Sequence, residues 1–161
     1  VIFGYSNKGH DGFLGNAVLG EWCNIGADSN NSNLKNNYAA VKLWNMGLKK
    51  YESTGLQFCG LMMGDHSKCG INTMFNTGSV VGIGCSIFGG GFPNTFINNF
   101  TWGGIESSSV YDLQKALQTM EIVMKRRGVD LTQIDKEILQ YVWDNTNIER
   151  FELSMRSGEL K

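Results

Sequence analysis

The sequence predicts an all-β solenoid, a coil of short parallel strands, on the basis of three observations. Apolar residues recur every six positions, beginning at Phe13, Leu19 and Ile25. The next position is often glycine, and the fifth position of each six-residue unit is small. A strand repeats every two residues and a helix every 3.6, so neither gives this period, whereas stacked coils of short strands do. The period resumes at Met63 and continues through Cys69, Phe75, Val81 and Ile87.

The place of a residue within its unit predicts where its side chain lies. We expect the apolar first place to fill the interior of the coil and the small fifth place, such as Ala17 or Ser67, to fit beside it. Glycine in the second place, as at Gly20 and Gly64, is expected to let the chain turn where a side chain would clash. The fourth place, which His66 occupies, is expected to point outward to solvent or to a subunit interface.

The repeat breaks after about residue 34 and returns at about residue 58, which predicts an excursion over 35–57. Asparagines are expected to interrupt the period there, because asparagine tolerates the left-handed backbone of corners and loops. Within the excursion, segments 41–44 and 48–51 flank a glycine-containing turn at 45–47 and predict a β-hairpin. Such a loop often helps to build the binding face of a solenoid. The asparagines are Asn30, Asn31, Asn33, Asn36 and Asn37.

Residues 105–161 have a helical period, which predicts an α-helical appendage after a solenoid domain of residues 1–104. Ser109 with Asp112 is expected to cap a first helix, and Thr132 with Asp135 a second. A short third helix is expected from Asn145, and the helical part is expected to cover the open end of the solenoid. The predicted buried residues are Val110, Leu113, Leu117, Met120 and Met124 in the first helix and Ile134, Ile138, Leu139 and Val142 in the second.

Composition and charge narrow the classes of function. The 161 residues include 14 basic and 15 acidic side chains, and this nearly neutral balance does not indicate a surface that binds nucleic acid. The sequence has no apolar run near the roughly 20 residues that cross a bilayer and does not open like a signal peptide, so no membrane partner is expected. The four cysteines fit core positions in a reducing cytoplasm and lack the paired spacing of a zinc site. Because the chain begins inside a repeat, we expect it to be the C-terminal part of a longer protein.

His10 is the candidate catalytic residue. It follows Gly9 and precedes Asp11 and Gly12, immediately before a regular six-residue unit. A histidine on a coil edge is accessible, and imidazoles exchange protons near neutral pH, which suits a general base. The alternative is a corner residue that takes no part in chemistry.

The stretch around His10 resembles the active-site region of a known enzyme family. The segments Gly9-His10, 13–17 and 24–27 resemble the C-terminal left-handed β-helix of bifunctional N-acetylglucosamine-1-phosphate uridylyltransferase/glucosamine-1-phosphate N-acetyltransferases. The resemblance covers about residues 5–35 and 62–92, and the long hairpin and helical tail are similar to a divergent branch of sugar nucleotidyltransferases. It implies a left-handed parallel β-helix of hexapeptide repeats, a homotrimer, and a cytoplasmic role in UDP-N-acetylglucosamine and cell-wall synthesis.

The resemblance also implies a reaction, in which an acetyl group passes from acetyl-coenzyme A to an amino-sugar 1-phosphate such as glucosamine 1-phosphate, without a metal. By this resemblance, His10 occupies the position of the family's general base, which takes a proton from the sugar amine. The residues that fall on substrate contacts are Phe13, Asn24, Asn33 and Lys35, and those that fall on acetyl-coenzyme A contacts are Ala27, Ile71 and Gly89.

Departures from the family pattern keep other functions open. Phe13 replaces a tyrosine whose hydroxyl touches the sugar phosphate, and Ile71 replaces a serine. The family's lysine after the asparagine-rich loop has two candidates, Lys35 and Lys42. One alternative is a β-helix tail that only oligomerises or regulates a sugar-phosphate nucleotidyltransferase. Another is acyl transfer to a different amino sugar.

Overall fold

The computed structural model describes residues 1–104 and 107–158, with the backbone alone for 147–158. The chain divides into two compact units, Val1–Tyr111 and Asp112–Lys161. The first unit contains the strands and the second contains two helices. The first unit extends beyond residue 104 because a strand at Ser108–Val110 pairs antiparallel with the strand before it.

The first unit consists of very short strands that pair in parallel from coil to coil. Their bounds are Val18–Leu19 (β1), Asn24–Ile25 (β2), Asn30–Asn31 (β3), Lys42–Asn45 (β4), Lys50–Ser53 (β5), Met62–Met63 (β6), Lys68–Cys69 (β7), Met74–Phe75 (β8), Val80–Val81 (β9), Ser86–Ile87 (β10), Phe96–Ile97 (β11), Thr101–Gly103 (β12) and Ser108–Val110 (β13). One sheet has the order β1-β6-β9-β11, a second has β13-β12-β10-β7-β2, and β3 pairs with β8. Parallel sheets built in this way are compatible with a β-helix.

The register of the pairs follows the six-residue period. Three consecutive units run through β1, β2 and β3, and the next three run through β6, β7 and β8. The three sides of one coil are therefore three units of sequence, and each side pairs with the same side of the next coil. The opposed first-place residues are Leu19 and Met63, Ile25 and Cys69, and Asn31 and Phe75.

First-place residues from Leu19 to Ile87 and fifth-place residues from Ala17 to Cys85 are buried, as the period predicts. Phe13 is the exception, because its side chain is 54% exposed instead of filling the interior. In the first coil, pairing is reduced to isolated bridges at Ile2 and Asn7, and the segment before Phe13 is an irregular loop. The ring of Phe13 consequently lies outside the coil.

Left-handed backbone occurs at the fourth place of the units and not at the second-place glycines. Trp22, His66 and Asn72 have φ angles between 57° and 61°. Gly26, in contrast, is needed for space, since a Cβ there would lie 2.4 Å from the carbonyl carbon of Gly70 in the next coil. The expected clash at the second place is confirmed, but it is with the neighbouring coil, and the left-handed turn is made at the fourth place instead.

Asn30 and Asn31 form strand β3 and do not interrupt the repeat, contrary to expectation. Asn31 takes the first place of its unit, although it is polar, and is 2% exposed. Its side-chain oxygen accepts from the Gly15 amide at 2.8 Å, and its nitrogen donates to the Gly15 carbonyl at 2.9 Å. A buried amide is tolerated here because its donor and acceptor are both satisfied.

The excursion leaves the coil at Leu34 and returns at Phe58, and these two residues form an antiparallel bridge. Strands β4 and β5 form the predicted hairpin, with the turn at 46–49. The turn contains Gly47, as predicted, and its residue of positive φ is Lys49. The predicted turn at 45–47 begins one residue before the observed turn and ends two residues before it.

The second unit contains helices α1 (Leu113–Lys125) and α2 (Gln133–Gly158). Asp112 caps α1 by accepting from the Lys115 amide at 3.0 Å, whereas Ser109 lies in β13. Thr132 and Asp135 exchange hydrogen bonds at the start of α2, as the predicted capping pattern requires.

The buried face of α1 agrees with the prediction at three positions, Leu113, Met120 and Met124, but Val110 lies in β13 and is exposed. In α2 Leu139 is buried, whereas the predicted core residues Ile134 and Ile138 are 68% and 57% exposed. The predicted third helix is the continuation of α2 past residue 145. Neither helix, over its described residues, combines the length and apolar character that a membrane span requires.

Candidate functional site

His10 lies in a loop that is fixed by backbone contacts. The Lys8 ammonium group donates to the carbonyl of His10 at 2.8 Å and also to the carbonyl of Asp11. Gly12 has a φ of 112°, and a Cβ there would lie 2.1 Å from the Ser29 carbonyl oxygen, so only glycine fits. The imidazole of His10 is exposed. The loop therefore holds an accessible histidine on an ordered backbone.

This loop adjoins one corner of the coils. The Asp28 amide donates to the Asp11 carbonyl at 3.0 Å, and the Asn72 amide donates to the Ala27 carbonyl at 2.9 Å. These two bonds join the corner of the first coil to that of the second, and the second to that of the third. The His10 loop therefore forms this corner in the first coil, and the corners of the later coils stack on it.

Ala27, Ile71 and Gly89 occupy equivalent positions on successive coils at this corner. Each stands two residues after a first-place residue, and these first-place residues pair across β2, β7 and β10. Ile71 is 69% exposed, and Gly89 has open space where a Cβ would be. We call these three residues the corner column. The three residues that the resemblance assigns to the acyl donor therefore stand in one row on successive coils, with Ala27 half-buried and the other two exposed, and the His10 loop continues this row.

Phe13 and Asn33 meet one side further along the coil. A Cβ on Gly15 would lie 2.2 Å from the Phe13 ring and 3.1 Å from the Asn33 amide nitrogen, so both side chains cover Gly15. The Phe13 amide donates to the side chain of Asn30 at 2.7 Å, and Asn33 donates to Asn16 at 2.7 Å. The structure thus brings together two of the four predicted sugar contacts. One of them, Phe13, follows the His10 loop directly in sequence.

Asn24 and Lys35 lie apart from that pair. Asn24 is exposed on β2, before the corner, and accepts from the side chain of Asn7 at 2.9 Å. Lys35 lines a groove of about 840 Å³ between the excursion and the coils, together with Lys42. The two lysines that competed for one predicted role are therefore neighbours in one groove.

Lys8, Asn7 and Asn16 are residues of this region that the sequence did not single out. The two asparagines pair with predicted sugar contacts, Asn7 with Asn24 and Asn16 with Asn33, each across 17 positions. This repeated offset is the length of one turn of the first coils and could have been read from the sequence. No comparable signal marks Lys8, because its role depends on the loop geometry.

Lys68 and Cys23 are the titratable groups that burial perturbs in the adjoining sheet. Burial lowers the pKa of the Lys68 ammonium group, which donates to the His66 carbonyl at 3.0 Å. Burial also raises the pKa of the Cys23 thiol. All four cysteines are buried and free, and no three His, Cys, Asp or Glu side chains form a metal-binding group within the part of the chain that the structure describes.

Comparison with known proteins relates part of this chain to one enzyme. The chain is 36% identical over 78 residues to the bifunctional protein GlmU of Methanocaldococcus jannaschii. The match covers 48% of this chain but only 18% of the length of GlmU. No protein-family model matches the chain. The chain therefore contains a GlmU-related segment.

Proposed function

We propose that this chain supplies an acyltransferase site, which transfers an acetyl group from acetyl-coenzyme A to the amine of an amino-sugar 1-phosphate, with glucosamine 1-phosphate as the first acceptor to test. The observation that carries the proposal is the exposed His10 at the head of the corner column, Ala27, Ile71 and Gly89. The relation to GlmU supports transfer chemistry on a sugar phosphate. The proposal includes a left-handed coil and a place in UDP-N-acetylglucosamine synthesis.

The chemistry assigned to His10 is proton transfer. The amine nitrogen of the acceptor attacks the thioester carbon, the C–N bond forms and the C–S bond breaks. His10 accepts the proton that the amine loses and returns a proton to the sulfur of the departing coenzyme A. An exposed imidazole on a fixed backbone supports this role, because a general base must be able to reach the bound amine.

The remaining side chains position the two substrates. The corner column contains no charged side chain, and Ile71 and Gly89 are exposed, which suits the extended arm of acetyl-coenzyme A. Phe13, Asn24 and Asn33 are proposed to contact the sugar, the first through its ring face and the others through their amides. Lys35 lines the groove and does not stand at the corner. Its predicted contact with the sugar therefore stays a prediction.

The first test is thiol release by the intact protein, given acetyl-coenzyme A and glucosamine 1-phosphate. His10→Ala is expected to lower the rate by about 10²-fold or more, since the amine keeps its proton without a base. Because the cysteines of this chain are buried, they contribute little background to a thiol reagent. His10→Gln is the matched control for side-chain volume and is expected to be equally slow. A full rate in either variant would refute the role of His10.

A second candidate function is a non-catalytic tail that oligomerises or regulates a sugar-phosphate nucleotidyltransferase. Two observations favour it: Phe13 lacks the phosphate-binding hydroxyl, and Lys35 stands away from the corner column. If the intact protein releases no thiol with glucosamine 1-phosphate or another amino sugar while it remains oligomeric, this candidate replaces the first.

A further inference from the structure

Helix α2 has a second apolar face, which the described part of the chain leaves uncovered. Ile134, Ile138 and Tyr141 are spaced by four and three residues, so they lie on one face of the helix, and all three are exposed. Leu139 and Thr146 are buried and lie about 120° around the helix axis from that face. The packing of α2 against its own chain therefore uses a different face. We call Ile134, Ile138 and Tyr141 the outer stripe.

The outer stripe has an acidic border. Glu137 and Asp144 lie at the edge of the same face, each three residues after a member of the stripe. Each carboxylate accepts a hydrogen bond from a glutamine four residues earlier, at 3.0 and 2.9 Å, and a neutral amide leaves the negative charge in place. Lys136 is engaged elsewhere, with its ammonium nitrogen 4.0 Å from the Glu121 carboxylate of α1. Within the described residues, no cation pairs with either acid of the border.

Helix α1 has the opposite charge on its outer side. Ile122 is 65% exposed and stands two residues from each of the buried Met120 and Met124, a spacing that places it on the far side of the helix. Lys125 and Arg126 follow it by three and four residues and so flank it. Arg126 is the C-cap and keeps helical backbone, so this spacing holds to the end of the helix. We call Ile122, Lys125 and Arg126 the basic face.

The outer stripe and the basic face are complementary. Each presents exposed isoleucine, and the carboxylates that border one carry the charge opposite to the cations that flank the other. Exposed apolar side chains beside charged residues are typical of protein–protein contacts. Every copy of the chain has both surfaces, so a second copy supplies the complement of each. Two outer stripes that faced each other would instead bring like charges together, which is unfavourable.

We propose that the second unit joins copies of this chain, with the outer stripe of one copy packed on the basic face of the next. Such a contact is heterologous, because the two surfaces that meet are different, and each added copy leaves one surface of each kind free until a ring closes. A closed ring is compatible with the homotrimer that the resemblance implies. The contact uses the helices alone and does not depend on the proposed acyl transfer.

The test is disulfide formation between two variants of the intact protein, Ile122→Cys and Ile138→Cys, which are co-expressed with different tags. The four native cysteines are buried, so the introduced thiols are the ones that a mild oxidant such as diamide reaches. Unlike chains are expected to form a disulfide about tenfold faster or more than Ile122→Cys does with Gln140→Cys, because contact raises the effective concentration of the thiols. Gln140 is the matched control, since it is exposed on α2 about 120° from the outer stripe.

A charge exchange tests the electrostatic match. Glu137→Lys with Asp144→Lys, in the chain that carries the α2 cysteine, is expected to slow the disulfide about threefold or more, because cations then face cations. Lys125→Glu with Arg126→Glu in the other chain should restore the rate. A general loss of helix stability would not be repaired by changes in a different chain.

The proposal fails if unlike chains react no faster than the Gln140→Cys control. A disulfide between like chains, in Ile138→Cys expressed alone, would make the contact isologous and exclude the heterologous arrangement. If the thiol of Ile138→Cys resists both oxidation and alkylation, another part of the intact protein or a different protein covers the stripe. A charge exchange that leaves the rate low would refute the electrostatic match.

Discussion

Small buried side chains at the fifth place connect each coil to the next through hydrogen bonds. The Ser67 hydroxyl donates to the Gly82 carbonyl at 2.6 Å and accepts from the Cys85 amide at 3.0 Å. The Cys23 thiol donates to the Gly64 carbonyl at 3.2 Å in the same way. The sequence predicts that these residues are small and buried, but their bonds depend on the register between coils. Serine and cysteine can alternate there because both offer a short donor.

Lys68 gives a residue-scale prediction about pH, because burial lowers the pKa of its ammonium group. Where the lysine is charged in both the folded and the unfolded chain, the folded chain bears the full desolvation penalty. As the pH rises toward the unfolded value of about 10.4, the folded chain releases its proton first and the penalty declines. The contribution of Lys68 to the free energy of unfolding therefore becomes more favourable as the pH rises.

Lys68→Met is accordingly expected to gain stability relative to the wild-type protein at pH 7, and to gain less at pH 10. The measurement is the urea midpoint of both proteins at the two pH values. Lys115→Met, at an exposed position of α1, should show no such difference between the two pH values. A gain for Lys68→Met that grows toward pH 10 would contradict the desolvation of Lys68.

The residues of the candidate site were predictable to different degrees. His10 stands out because glycines surround it, and the spacing of Ala27 from the buried Ile25 places it on a corner. The exposure of Phe13 was not predictable, because its apolar side chain fits the period and only the irregular loop before it turns it outward. The partners of Asn24 and Asn33 required knowledge of which turns of the coil are neighbours.

At the scale of the elements, the second-place glycines set how closely the strands can stack. A Cβ on Gly26 would meet the Gly70 backbone in the next coil, and one on Gly64 would meet Gly82 at 2.9 Å. A backbone neighbour cannot swing aside as a flexible side chain can. These positions therefore exclude even alanine without a shift of the coils.

Gly26→Ala is expected to destabilise the protein by about 1–3 kcal/mol, the usual effect of forcing an added methyl group into a packed interior. Gly90→Ala is the matched control, since a Cβ there meets open space and its φ is not in the left-handed range. Thermal unfolding of the two variants measures the difference. A Gly26→Ala variant as stable as Gly90→Ala would show that the coils can separate without loss.

The strands and helices were predicted most accurately where the sequence follows a single period. The coils and the first half of the helical unit follow clear periods, and Thr132 with Asp135 caps α2 as predicted. The apolar residues of α2 do not gather on one stripe, so Ile134 and Ile138 were assigned to the wrong face. The predicted hairpin turn began one residue too early, because Asn45 is the last residue of β4.

At the scale of the whole molecule, the period predicts a stack of coils, and the described strands pair in that order. The boundary between the units follows from long-range pairing that no local period reveals, since β13 pairs back onto β12. The predicted capping role of the helical unit stays a prediction. The repeat period of a single chain also does not determine how many chains assemble.

We propose a homotrimer, on the resemblance of the repeats around His10 to a family whose sites draw residues from neighbouring subunits. Light scattering of the intact protein is expected to give three times the mass of one chain. Dilution into the nanomolar range should then lower acetyl transfer as the trimer dissociates. A monomer that retains full acetyl transfer would exclude a shared site.

The bridge between Leu34 and Phe58 has a consequence for the evolution and engineering of this chain. The two ends of the excursion already lie side by side, and the Cys59 amide donates to the Asn33 carbonyl at 2.9 Å. These two contacts close the coil at the base of the excursion, and the entropy of closing a longer loop grows only slowly with its length. Segments of other lengths could be exchanged here without shifting the register of the strands. The bridge thus makes the excursion an interchangeable module, a natural place for grafting a foreign recognition loop.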